Sequence, residues 1–91
     1  MEGMTLEQLR TTFKSGGLSA ARIVAQGKKF YITVDTKSGD LVVLVLHAGR
    51  KPRLFGKAVT ALKALYDIGF KIVTVEMLNW SPDQGELTAR G

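Results

Sequence analysis

Residues 41–46 read Leu-Val-Val-Leu-Val-Leu, the longest unbroken apolar run in the chain. Six residues are far short of the ~20 that a membrane helix needs. Their β-branched content favours a strand over a helix. The run does not alternate. A strand with one wet face shows apolar and polar residues in turn, so this one is expected to be buried on both faces. Whatever fold the chain adopts has to provide a cover on each side of it.

The flanking segments do alternate. Ala21, Ile23 and Ala25 interleave with Arg22, Val24 and Gln26, and Phe30, Ile32 and Val34 with Tyr31, Thr33 and Asp35. Gly27-Lys28 joins the two sets, which predicts a hairpin with one dry and one largely wet face. Thr36-Lys37-Ser38-Gly39-Asp40 is a second turn. Upstream, Thr5 and Gln8 have the spacing of a capping box, with Met4 and Leu9 at the staple positions. Leu6, Leu9 and Phe13 follow at helical spacing until Ser15-Gly16-Gly17, which predicts a helix over 6–14. Downstream, 48–56 reads as a loop with a short strand at Arg53–Phe55. Ala58, Ala61, Leu62, Leu65 and Ile68 make one apolar helical face over about 57–68, closed by Gly69. Phe70–Glu76 reads as a further strand. The expected fold is α+β, in the order α-β-β-β-α-β: an antiparallel meander of three to five strands, with two helices over one or both faces. One domain is expected over 1–82, with a loosely held tail at 83–91.

Of the 91 residues 45% are hydrophobic, enough for one core. There is no cysteine, so disulfides, cysteine–zinc sites and thiol nucleophiles are excluded. Met1-Glu2-Gly3-Met4 lacks the features of a signal peptide, and a cytoplasmic location without membrane association is the expectation. The net charge is +5. Residues 41–66 carry Arg50, Lys51, Arg53, Lys57 and Lys63 and no acid, so the excess sits in one stretch. A central basic stretch suits phosphate backbones or an acidic partner protein. The bland alternative is a solvated loop that aids solubility.

Catalytic patterns are sparse. His47 is the single histidine, and no ligand-type residue stands near it in sequence. Ser15, Ser19, Ser38 and Ser81 fall at caps and turns, not in a nucleophile elbow. Gly49 and Gly56 flank the basic loop, but six residues separate them and Lys57 is followed by Ala58, so the P-loop spacing is not met. The expected order also contains no crossing βαβ unit. A simpler use remains: the helix starting near Lys57 offers free N–H groups and a positive dipole end to a phosphate. Asp35 and Asp40 flank a turn, and Asp67 stands unfavourably at a helix C-terminus unless a cation offsets it.

The stretch Arg53-Leu54-Phe55-Gly56-Lys57-Ala58, with Ala61-Leu62, Leu65 and Asp67-Ile68-Gly69, follows an opening Leu-x-x-Leu-Arg helix and precedes Trp80. Over residues 4–82 this resembles small plasmid-borne ParC-type partition-associated proteins, which are unrelated to the topoisomerase subunit of similar name. The resemblance implies a role in plasmid maintenance or segregation beside partition proteins, and brings no catalytic residues with it. The order α-β-β-β-α over 5–69 is also similar to that of double-stranded-RNA-binding domains, although the basic run expected at the second helix is missing and the last strand is extra. The expected function is therefore that of a non-enzymatic accessory protein of plasmid or mobile-element maintenance. It would bind nucleic acid through Arg50, Lys51, Arg53, Lys57 and Lys63 and require no cofactor or metal. The competing expectation is an adaptor that docks an acidic partner protein and touches no DNA. Because residues 41–46 ask for a second cover, a homodimer is expected.

Overall fold

The computed structural model describes residues 2–47 and 51–81. Along the chain it has β1 (Glu2–Met4), α1 (Leu6–Lys14), β2 (Leu18–Gly27), β3 (Lys29–Thr36), β4 (Leu41–Leu44), α2 (Ala58–Ile68) and β5 (Thr74–Trp80). The α+β class holds, and both helices lie where the sequence places them. The first starts at a complete capping box: Gln8 N–H donates to Thr5 Oγ1 (3.2 Å), and Thr5 N–H donates to Gln8 Oε1 (2.8 Å). Glu7 in its first turn and Lys14 in its last complement the helix dipole. Gly27, at φ +63°, opens the two-residue β2–β3 turn, the place where a type II′ hairpin requires glycine.

The sheet corrects the expected antiparallel meander. Its order is β1-β4-β3-β2-β5, and only β3 runs against its neighbours. The pairs β1/β4 and β2/β5 are parallel. Two strands account for the difference. β1 is three residues long, too short to show a period. β5 begins four residues later than expected, because Phe70 does not belong to a strand at all. Its N–H donates to Leu65 O (3.1 Å), and its ring packs edge-on against Phe13 with centroids 5.0 Å apart. Residues 71–73, which begin with a bend at Lys71, then carry the backbone from the helix layer to the sheet. Smaller corrections follow the same pattern. The strand at 41–46 ends at Leu44, and the strand expected at Arg53–Phe55 is a single bridge between Phe55 and Phe30. The double-stranded-RNA-binding topology also gains a parallel strand on each edge.

Crossing βαβ connections are present after all, and the described residues hold two of them. β1-α1-β2 leads from the first position in the sheet to the fourth, and β4-α2-β5 leads from the second to the fifth. Crossovers of this kind are right-handed in nearly all proteins. Two that travel in the same direction therefore put their helices on the same face. They do: Phe13 meets Phe70, and Arg10 Nη2 donates to Asp67 Oδ2 at 2.6 Å, the cation that offsets the unfavourable helix-end carboxylate. Between helices and sheet lies the core, with Leu9, Ile23, Ile32, Leu44 and Leu65 almost inaccessible.

Among the described residues no helix covers the opposite face, where Val24, Thr33, Val43 and Val45 are nonetheless buried. Arg22 lies across Thr33 there, donating through Nη1 to Thr33 Oγ1 (3.5 Å) and through Nη2 to Asp35 Oδ2 (2.9 Å). The inner part of the apolar run, Val42–Val45, is thus buried on both faces within one chain, while Leu41 and Leu46 are exposed.

Candidate nucleic-acid interface

With β1, β4, β2 and β5 parallel, their carboxyl ends gather at one end of the sheet. The β2–β3 hairpin tip and the N-terminus of α2 lie at that end too. In sheets with helical crossovers this is where ligands usually bind, because loops and helix N-termini converge there.

The chain places two basic segments at this end. One is the hairpin tip, Lys28-Lys29. The other is the approach to α2, with Lys51, Arg53 and Lys57. The Phe30–Phe55 bridge ties them together: Phe30 N–H donates to Phe55 O (2.9 Å), and Phe55 N–H donates to Phe30 O (2.7 Å). Both phenylalanines are core residues, so the clamp is anchored from below. Arg53 is half-buried. Its N–H donates to Leu44 O (2.8 Å), and its guanidinium stands 4.8 Å from the centre of the Phe55 ring, which fixes its direction. Lys28, Lys29, Lys51 and Lys57 are exposed. Residues 27–30 and 51–57 contain five cations and no acid.

The N-terminus of α2 breaks the usual capping rules. Its N-cap is Lys57, in extended conformation, with no side-chain hydrogen bond to the first turn and no acid in that turn. Cap positions normally hold Ser, Thr, Asp or Asn, whose oxygen satisfies an orphan N–H. A cation at the positive end of the dipole costs about 0.3–1 kcal/mol. The contrast with α1, which is capped by Thr5 and Gln8 and carries Glu7, is made within the same chain. An anion at the start of α2 would relieve both penalties.

Of the cations expected from sequence, the structure joins Lys51, Arg53 and Lys57. Arg50 lies outside the described residues. Lys63 stands apart: six residues on from Lys57 it is turned well round the helix, and it lines an apolar groove beside β5. Sequence reasoning missed Lys28 and Lys29. Their adjacency at a hairpin tip was a visible signal, but the Phe30–Phe55 bridge that brings them to the loop was not.

Asp40 serves the fold. It accepts from Ser38 Oγ (3.2 Å), and its N–H donates to Thr36 Oγ1 (3.0 Å), closing the β3–β4 turn. His47 is exposed after β4. Among the described residues no group of three or more His, Asp or Glu could hold a metal ion. A hollow of about 310 Å³ between β1 and α1 is lined by Glu2 and Glu7, the wrong sign for an anion. No helix of the described residues is long and apolar enough to cross a membrane. No protein-family model, curated protein or solved structure matches the chain.

Proposed function

We propose that this protein binds nucleic acid, double-stranded DNA in the first instance, at the strand-end face formed by Lys28, Lys29, Lys51, Arg53 and Lys57, and that it catalyses no reaction there. The observation that carries the reading is the start of α2. A helix that begins on an uncapped lysine, beside four more cations from two separate segments, leaves N–H donors and positive charge unsatisfied at one spot. Phosphate satisfies both. The setting, an accessory role in plasmid or mobile-element maintenance beside partition proteins, rests on the resemblance of the Arg53–Gly69 stretch to ParC-type proteins.

The test is the salt dependence of binding. Five cations each neutralising one phosphate give a slope of log K against log salt near −4.5, at ~0.9 per phosphate. Changing Lys28 and Lys29 to Ala should reduce that slope by about 1.8, equally for plasmid-derived and random DNA. Binding that is undetectable at low salt, or a slope unmoved by the double substitution, would refute the reading. An acidic protein docking on the same cations would then take its place.

A further inference from the structure

The helix layer is narrower than the sheet it covers. Five strands at ~4.8 Å span ~19 Å between the outer two, and two packed helices have axes 8–10 Å apart. With α2 lying over β2 and β3, and α1 packed against it toward the opposite edge, where α1 and β1 line one hollow together, the next helix position in the layer falls over β5. No described element fills it. The register shows which residues face that gap. Val75 lies opposite Ile23, a core residue of the helix-bearing face, and Trp80 lies opposite Gly27. Met77 and Leu78 together lie opposite Ala25, since Glu76 pairs with Val24 and Asn79 with Gln26.

The seat is apolar. Val59, Leu62 and Tyr66 of α2 are 53%, 43% and 66% exposed, and Val75, Met77 and Trp80 of β5 are 44%, 57% and 43% exposed. Six side chains of this size at these fractions present on the order of 700 Å², close to the ~800 Å² per partner of a standard interface. A groove of about 260 Å³ already runs between α2 and Val73.

Its rim is basic. The two charged residues lining the groove are Lys63 and Lys71, and Lys71 Nζ is held 3.9 Å above the centre of the Tyr66 ring. Neither takes part in an ion pair among the described residues, whose acids in ion pairs, Asp67 and Asp35, are engaged by Arg10 and Arg22. A second copy of this seat would bring lysine against lysine.

We propose that the trough between α2 and β5 receives an amphipathic helix of a partner protein, apolar on the face it buries and acidic along the edges that meet Lys63 and Lys71. The helix would lie beside α2 as the third member of the layer, with apolar residues at i, i+3, i+4 and i+7. The 11 residues of α2 span about 16 Å, so three turns fill the seat. The lysines that it uses, Lys63 and Lys71, are not among the strand-end cations, although Val59 and Trp80 bring one end of the trough next to Lys57 and Lys28; the proposal does not depend on nucleic-acid binding.

The test uses two fluorescein-labelled 15-residue peptides with one leucine stripe, flanked by Glu in one and by Lys in the other. Anisotropy with the full chain should show binding of the acidic peptide at least tenfold tighter than the basic one. In the variant Lys63→Glu/Lys71→Glu the preference should invert, while DNA affinity changes far less than it does on substituting Lys28 and Lys29. Both lysines are exposed, so the fold should survive, which circular dichroism checks. Equal binding of the two peptides, no binding of either, or a preference that the charge reversal leaves unmoved would overturn the proposal. Two further results would also overturn it by naming another occupant. One is a solution mass of twice 9.9 kDa that falls to one chain in Tyr66→Glu, which would make the trough a self-interface. The other is movement of the amide signals of residues 83–91 on that substitution, which would put the chain's own terminal segment there.

Discussion

Replacing Lys57 by Asp should raise stability and weaken DNA binding at once. Lys57 has φ −131° and ψ 137°, the extended conformation that an aspartate cap adopts without strain. A side-chain acceptor for the orphan N–H groups of α2 contributes about 1 kcal/mol. Exchanging a cation for an anion at the positive end of the dipole adds about 0.5 kcal/mol. The sum, about 1.5 kcal/mol, corresponds to roughly 6–12 °C in Tm for a domain of this size. On the binding side one phosphate contact is lost, which reduces the salt slope by ~0.9, and the carboxylate occupies the N–H groups the phosphate would use. Affinity at moderate salt should therefore fall tenfold or more. Calorimetry and electrophoretic shift on the same preparation read the two effects. A Tm that rises while DNA affinity stays unchanged would show that the start of α2 is not the anion seat. A Tm that falls would mean that the capping argument itself is wrong.

Gly69→Ala should cost about 3 kcal/mol or more, because φ is +134° and an added Cβ would crowd the Phe13 ring, where the nearest approaches include 2.7 and 2.8 Å. In a Phe13→Leu background the same substitution should cost clearly less, and equal costs in urea denaturation would exclude the clash. His47→Gln should leave both Tm and DNA affinity unchanged, since the side chain is exposed and stability should move by less than ~0.5 kcal/mol; a folded variant that no longer binds would expose a role for the imidazole.

Local rules carried the sequence reading as far as local rules reach. The capping box located the start of α1, the apolar period and Gly69 located α2, and Gly27-Lys28 located the hairpin, because each depends on residues within a turn or two of one another. Strand direction does not. Whether a strand pairs parallel or antiparallel is set by the path of the intervening helix, and the Ala-rich sequence of α2 says nothing about which strand it leads to. Phe70 shows a second limit. Its aromatic, apolar neighbourhood reads as strand, yet the side chain is spent on Phe13 before the sheet begins. The candidate interface divided along the same line: Lys51, Arg53 and Lys57 were legible as one acid-free stretch, whereas Lys28 and Lys29 join them only through a bridge between residues 30 and 55.

The interleaved crossovers also decide the order in which the sheet can be assembled. β2, β3 and β4 are neighbours in sequence, but the outer strands pair at long range: Glu2 with Val42, forty residues on, and Thr74 with Arg22, fifty-two residues back. Loop closure becomes costlier with separation, which favours pairing of the three inner strands before the two edges are added. On the ribosome the free side of β2 has no partner until residue 74 and those after it have emerged. For that interval a ten-residue strand carrying Ile23, Val24 and Ala25 is an open edge, the kind that recruits other nascent chains. Covering the long edge of β2 is thus the first task of β5 in the life of each molecule, before its outer surface meets any partner.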